Sequence, residues 1–255
     1  MKVLLLTVAG LSARFGKSLG RECLKCIYYE KDYRQSLLWQ AVNKNCSFDK
    51  IIIVGGFKFD ELKSFTEQYL SSLSQKIVLV NNDKYAEYGS GYSLYKGIEC
   101  ALSFSPEQIV FAEGDLWTDV ESFNNIFENS KDCVTYNSEA IRADKSVVFY
   151  FDALGKINYL YDTTHNLLEI REPFTAVYNS GQIWKFSNRK KIELVFKSLT
   201  EQEWQGTNLV FVQQYFGGLN NGEYDLIPIK QWVNCNTVDD LRRTGIYYEN
   251  FKRKT

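Results

Sequence analysis

Four stretches of the chain combine residue types that hold phosphate, metal or a base. The first follows an apolar run over residues 2–8, reads AGLSARFG from Ala9, and continues to Lys25. Gly10, Gly16 and Gly20 allow the backbone to bend and approach a ligand closely. Exposed amides around Ser12, together with Arg14, Lys17, Arg21 and Lys25, would make an anion cradle. Gly16-Lys17-Ser18 does not stand at the distance from Gly10 that a P-loop requires. Taken alone, this is equally an ordinary basic loop between a strand and a helix. The second stretch, FAEGDLW, delivers Asp115 at a strand end after the turn-forming Gly114. A carboxylate there can hold Mg²⁺ against phosphate oxygens, or can be a solvated turn residue.

The third stretch, WVNCNTVDDLRR, offers Asn236 as an oxygen donor, and Thr237 as the cap of a helix that Asp239 and Asp240 begin. The fourth is NNDKYAEYGSGYSLYKGIECAL. Gly89, Ser90 and Gly91 would let backbone groups meet a base edge, and Ser93 stands at a helix start that favours phosphate. As structure alone this stretch is a loop and an N-cap.

These stretches must be held by a scaffold. Continuous apolar runs over residues 2–8, 51–54, 76–80 and 108–112 fit strands covered on both faces, each ending at small or polar residues. Helical spacing over 36–43, 59–72 and 93–103 alternates with them, which implies a mostly parallel sheet with ligands bound beyond its carboxyl ends. From about residue 132 the chain expects strands at 133–136, 146–151 and 175–184 and a helix near 190–199. No linker, repeat or low-complexity tract divides it, so residues 1–255 are expected to form a single domain whose sheet continues into the second half.

Composition narrows the classes of function. With 255 residues, 45% of them hydrophobic, the chain can bury a full core. Its 30 basic and 31 acidic residues leave no global field for nucleic acid or a membrane surface, so phosphate must be met locally. The apolar run at 3–9 is too short to span a membrane, and Gly10 to Arg14 is a poor signal-peptide cleavage region. Cys23, Cys26, Cys46, Cys100, Cys133 and Cys235 read as reduced thiols in a cytoplasm, with the lone Cys23-Cys26 spacing accidental. His165, the only histidine, sits in a polar run and gives a catalytic triad little to draw on.

The ordered motifs resemble those of the nucleotidyltransferase superfamily, most of all enzymes of the phosphocholine cytidylyltransferase type. The resemblance implies an α/β, Rossmann-like (GT-A-like), mixed and mostly parallel sheet flanked by helices. It assigns Arg14 and Lys25 to the catalytic grip on the triphosphate, although Leu24 stands where the family carries proline and the loop is about one residue longer. Ala9, Gly10, Ser12, Gly89, Gly91 and Ser93 fall in its nucleotide site, and Asp115 and Asn236 at its Mg²⁺ ligands. Residues 1–131 would then be the nucleotide half and 132–255 the acceptor half. The implied partners are CTP and a small phosphorylated acceptor, with no nucleic acid, no membrane insertion, and a homodimer left open; the implied setting is surface polysaccharide (capsule) biosynthesis.

The acceptor is the least specified part. REPFTAVYNSG lies where sugar nucleotidyltransferases carry Glu-Lys-Pro, which leaves Arg171, Glu172 and Tyr178 as acceptor-binding candidates, with Asp162 as a nearby carboxylate. Trp117, Tyr159, Tyr161, Tyr178 and Trp184 offer rings for a choline-like cation, or simply pack the core. Phosphocholine, phosphoethanolamine, a phosphonate and phosphoglutamine stay open, as does a sugar 1-phosphate. Two other classes also stay open: a GT-A glycosyltransferase that uses Glu113-Gly114-Asp115 in place of a DxD motif, and a non-catalytic nucleotide-binding domain.

Overall fold

The computed structural model describes residues 1–44, 47–161 and 167–244. In the first half, β1 (Lys2–Thr7) leads to α1 (Ala13–Leu19) and α2 (Leu37–Asn43), then β2 (Lys50–Gly55), α3 (Phe59–Tyr69), β3 (Ile77–Asn81), α4 (Ser90–Ser103) and β4 (Gln108–Glu113). There follow β5 (Leu116–Thr118), α5 (Val120–Glu128), β6 (Asp132–Asn137), β7 (Val148–Asp152), β8 (Ile157–Leu160) and β9 (Phe174–Phe186). The last described elements are α6 (Arg189–Ser198), α7 (Glu201–Gln205), α8 (Leu209–Phe216), β10 (Tyr224–Ile229), β11 (Trp232–Asn234) and a helical segment from Val238.

Continuous apolar strands form here because both faces of the sheet are covered. In β1, Val3 and Leu5 enter one core, beneath α4, α6 and α8, while Leu4 and Leu6 enter the other, against α2, α3 and α5. Alternation is therefore absent from the sequence of β1 even though its side chains alternate in space. The strand order is β10-β6-β9-β4-β1-β2-β3, with β7 and β8 attached through β9. β1, β2, β3 and β4 are parallel, as are β6 and β10, whereas β9 runs antiparallel to β4, β6 and β7. This is the α/β, mostly parallel mixed sheet expected from the sequence, and the strands of the second half join it. A smaller pair, β5 with β11, stands above it over a third cluster that includes Phe15, Trp117, Val233 and Cys235.

Chain order places the crevice. After β3 the chain crosses β1 and enters the sheet on its other side as β4, so connections leave β1 and β4 at a switch point, where diverging loops open a gap.

Several boundaries differ from the sequence expectation. α3 stops at Tyr69 and tightens into a turn at Ser71–Leu73. The strand expected from residue 146 starts at Val148. α4 begins at Ser90 with Gly89 as N-cap, so Ser93 lies inside its first turn instead of capping it. The cause is tertiary: Gly89 and Gly91 donate their N–H groups to the carbonyls of Gln205 (2.7 Å) and Gly206 (2.9 Å), satisfying amides that would otherwise be orphaned at the helix start.

β9 joins the two halves and carries a buried lysine. Lys185 is 1% exposed, and its ammonium donates to the carbonyls of Phe127 (2.9 Å) and Asn129 at the carboxyl end of α5. A cation there offsets the helix dipole and satisfies terminal carbonyls. Lys185→Ala is expected to cost about 2–4 kcal/mol in chemical denaturation, because it leaves both a cavity and unpaired carbonyls.

Candidate active site

The carboxyl ends of β1 and β4 open onto a cleft of about 240 Å³. The two ends are tied together before they diverge, as Gly114 donates to the Thr7 carbonyl (2.9 Å), while Val8 ties β1 to β2 by donating to the Val54 carbonyl (2.8 Å). Of the residues singled out from the sequence, Ala9, Gly10, Ser12, Lys25, Gly89, Ser93 and Asp115 line the cleft. Residues from four separate parts of the chain therefore meet at one place.

The loop after β1 is held by Ser12, which adopts φ 55° and ψ 26°, a left-handed conformation uncommon outside glycine. Its hydroxyl oxygen accepts the Lys25 N–H (3.3 Å), joining the two ends of the loop. Leu24 is buried in an extended conformation with φ −84°, near the angle that proline imposes, and it precedes a tight turn at Lys25–Ile27. Apolar burial thus sets the backbone at the position where the resemblance led us to expect proline. The Lys25 Nζ donates to Asp115 Oδ2 at 2.8 Å, with the two side chains 19% and 21% exposed.

Asp115 is only half-satisfied, for its Oδ1 is buried and has no hydrogen-bond partner. Such an oxygen suits a hard divalent cation. Among the described residues no group of three or more His, Cys, Asp or Glu could hold a metal, so a Mg²⁺ ion here would take most of its ligands from phosphate and water, as Mg²⁺ commonly does. The Cys235 N–H donates to the Asp115 carbonyl (2.8 Å), extending the β5–β11 pairing and bringing Asn236 next along the chain. Asn236 itself does not line the cleft; its Nδ2 donates to Asn234 Oδ1 (2.8 Å) and its N–H to Asp240 Oδ2 (3.0 Å). Thr237 caps the last helical segment as expected: its hydroxyl oxygen accepts the Asp240 N–H, and the Asp240 carboxylate accepts the Thr237 N–H.

A further part of the cleft is shaped by β3 and α4. Asn82, buried at the end of β3, donates from Nδ2 to Ser93 Oγ (2.9 Å) and accepts the Lys84 N–H (2.9 Å), fixing the loop that brings Tyr85 and Tyr88 to the cleft. The N–H groups of Gly89 and Gly91 are already taken by the α7–α8 corner, and Gly91 does not line the cleft. Both glycines are thus close-packing positions whose N–H groups are engaged within the fold, while Gly89 also lines the cleft.

Sequence reasoning gave Glu113 a role only in the glycosyltransferase alternative, and missed Tyr85, Tyr88 and Asn208. The first three lie inside the quoted motifs and line the cleft. Asn208 has no local signal; its Nδ2 donates to Glu113 Oε1 at 2.8 Å from 95 residues away. Burial, and secondarily the Asp115 charge, push the Glu113 carboxyl up to about 7.

Several expected residues are not brought together with these. Arg14 is exposed on α1 and does not line the cleft; Lys17 and Arg21 line a neighbouring groove with Gly20, Cys23 and Phe57. Arg171 is 81% exposed and paired with Glu169 (2.9 Å), Glu172 accepts from the Tyr150 hydroxyl (2.5 Å), and Tyr178 packs among Tyr136, Phe149 and Phe151. The acceptor trio is thus spread between an exposed loop and an aromatic layer, and none of the three lines the cleft. Asp162 and His165 lie outside the described residues, as does Cys46. Cys23 and Cys26 are free thiols, and burial pushes Cys26 up to about 12, so it is a poor nucleophile. No helix among the described residues is long and apolar enough to cross a membrane.

The architecture is Rossmann-like, of the kind found in nucleotidyltransferases. An inositol-1-phosphate CTP transferase from T. maritima is similar over 94% of this chain and 91% of its own, at 16% identity and TM-score 0.62. A putative glucose-1-phosphate thymidylyltransferase from Bacillus anthracis is similar over 97% and 95%, at 16% identity and TM-score 0.67. The CTP:phosphocholine cytidylyltransferase from Streptococcus pneumoniae is similar over 95% and 96%, at 17% identity and TM-score 0.62. No curated protein matches the sequence. The chain belongs to the family described as a domain of unknown function, DUF6564, whose model matches residues 21–248.

Two outcomes are expected. A Cβ on Gly10 would meet no protein atom within 4 Å, so Gly10→Ala should show the wild-type melting temperature by calorimetry although its methyl enters the cleft. Raising the Glu113 pKa favours its protonated form in the folded state. Its contribution therefore falls as pH rises from about 4.5 through about 7. Denaturant titrations without divalent metal should show Glu113→Gln gaining stability relative to wild type across that window; a difference independent of pH would refute the assignment.

Proposed function

We propose that this chain is a nucleotidyltransferase that moves CMP from CTP to a small phosphorylated acceptor and releases pyrophosphate. The observation that carries this reading is the Lys25–Asp115 pair, with an unpartnered Asp115 oxygen, inside a cleft walled by the glycine-bearing loop after β1. That combination supplies a cation for the departing phosphates and a carboxylate for Mg²⁺. Neither of the other two classes left open by the sequence requires Lys25 at this place.

Chemistry here needs alignment and charge neutralisation more than a protein nucleophile. An acceptor phosphate oxygen attacks the α-phosphorus in line, and pyrophosphate departs. Gly10 leaves room for the triphosphate, and Lys25, released from Asp115, neutralises the leaving group. Arg14, exposed at the start of α1, is proposed to close onto the outer phosphates. Asp115 and the side-chain oxygen of Asn236 would hold Mg²⁺, which supplies Lewis-acid charge neutralisation at the phosphates. Residues 1–131 are proposed as the nucleotide half and 132–255 as the acceptor half.

CTP is favoured by the NNDKYAEYGSGYSLYKG stretch and by similarity to two structures whose names specify CTP. A sugar 1-phosphate with another nucleotide is the second reading, favoured by the TM-score of 0.67 to the thymidylyltransferase structure. A pyrophosphate-release assay crossing four nucleotides with phosphoalcohols, phosphonates and sugar phosphates separates the two. Asp115→Ala should lower the productive combination by roughly a thousandfold or more with little change in melting temperature. Near-wild-type turnover would reject the assignment, and nucleotide binding without pyrophosphate in any combination would favour a non-catalytic domain.

A further inference from the structure

We infer that Asn208 is a positioning residue that fixes the distance between the base-side loop and the end of β4; its consequence for nucleotide binding rests on the function proposed above. Asn208 is 2% exposed at the start of α8. Its N–H donates to Ser90 Oγ (3.1 Å) and its side-chain Nδ2 to Glu113 Oε1 (2.8 Å), while its Oδ1 accepts from the Thr207 hydroxyl (3.5 Å). One buried residue therefore holds the first residue of α4 and the carboxylate two positions before Asp115.

The corner that carries it is built for close approach. The carbonyls of Gln205 and Gly206 accept the Gly89 and Gly91 amides. A Cβ on Gly89 would collide with the Gly206 carbonyl, and one on Gly91 would come within 2.7 Å of that of Trp204. The loop is thus pinned by backbone contacts from one side, and Asn208 continues the same corner across to β4. These are the two walls of the cleft, Gly89, Ser90 and Ser93 on one and Glu113 and Asp115 on the other.

Aligning a base against the α-phosphate depends on this spacing, whereas gripping a bare triphosphate depends on the loop after β1. Loss of the strut should therefore penalise the nucleotide more than its phosphate chain. Asn208→Asp keeps the shape and the N–H to Ser90, but replaces the amide donor facing Glu113 with a second carboxyl oxygen. The double variant N208D/E113Q restores a donor and an acceptor with their roles exchanged.

The test has two arms. Hydrogen exchange of the ligand-free protein should show faster exchange of the amides at 89–92 in N208D, by about tenfold or more, and recovery in N208D/E113Q. Asn208→Ala and the exposed change Ser90→Ala should move it in the same direction. Calorimetry with CTP and with inorganic tripolyphosphate should show N208D weakening CTP about tenfold and tripolyphosphate by less than about twofold. Unchanged exchange in all single variants overturns the strut, as does failure of the double variant to recover any protection. Equal loss of both ligands overturns its selective role. A wild type that binds none of four nucleotides refutes the functional reading, and the exchange arm then decides the strut alone.

Discussion

A lysine ammonium set against a carboxylate that has one oxygen unmatched is the interaction around which this cleft is arranged. Lys25 lies after a loop and a short helix from β1, and Asp115 lies just past β4. They meet because β1 and β4 are neighbouring parallel strands, joined in register from Lys2 opposite Gln108 to Thr7 opposite Glu113. The pair holds opposite charges in a crevice where a phosphate chain and a cation could replace each partner for the other.

Burial on both faces of the sheet makes that meeting rigid. α4 packs on one side and α2, α3 and α5 on the other, so β1 and β4 cannot shift without opening a core. Flexibility is left to the loops, and even these are restrained: Ser12 clamps Lys25, Asn82 holds Ser93, and the α7–α8 corner holds the start of α4. The second half braces the cleft from outside its lining through Asn208, which bonds both Ser90 and Glu113.

Much of the fold was legible in the sequence because a strand buried on both faces is written as an uninterrupted apolar run, as in β1, β2 and β4. The later elements were less legible. β8 has four residues, β10 carries Asp225 and Pro228, α8 is apolar on several sides, and β5 and β11 have three residues each, too few for a period to show. The start of α4 was misplaced because its first amides are satisfied by carbonyls more than 100 residues away, a contact that no local cap announces. Seven of the candidate site residues converge in the cleft because each sits at a strand end or helix start, where turn residues mark the chain.

By itself the sequence determined the parallel scaffold, the four loops that carry polar chemistry, and the absence of a large charge imbalance. These depend on composition and on spacings of a few residues. Only the tertiary structure decided that Lys25 and Asp115 form the pair while Arg14 stays exposed, that the Gly89 and Gly91 amides bond the α7–α8 corner, and that Asn208 bonds both Ser90 and Glu113. It also set Arg171, Glu172 and Tyr178 outside the lining of the cleft. The physical reason is that a side chain's partner is set by sheet order and crossing helices, over separations at which neighbouring residues carry no record of the contact.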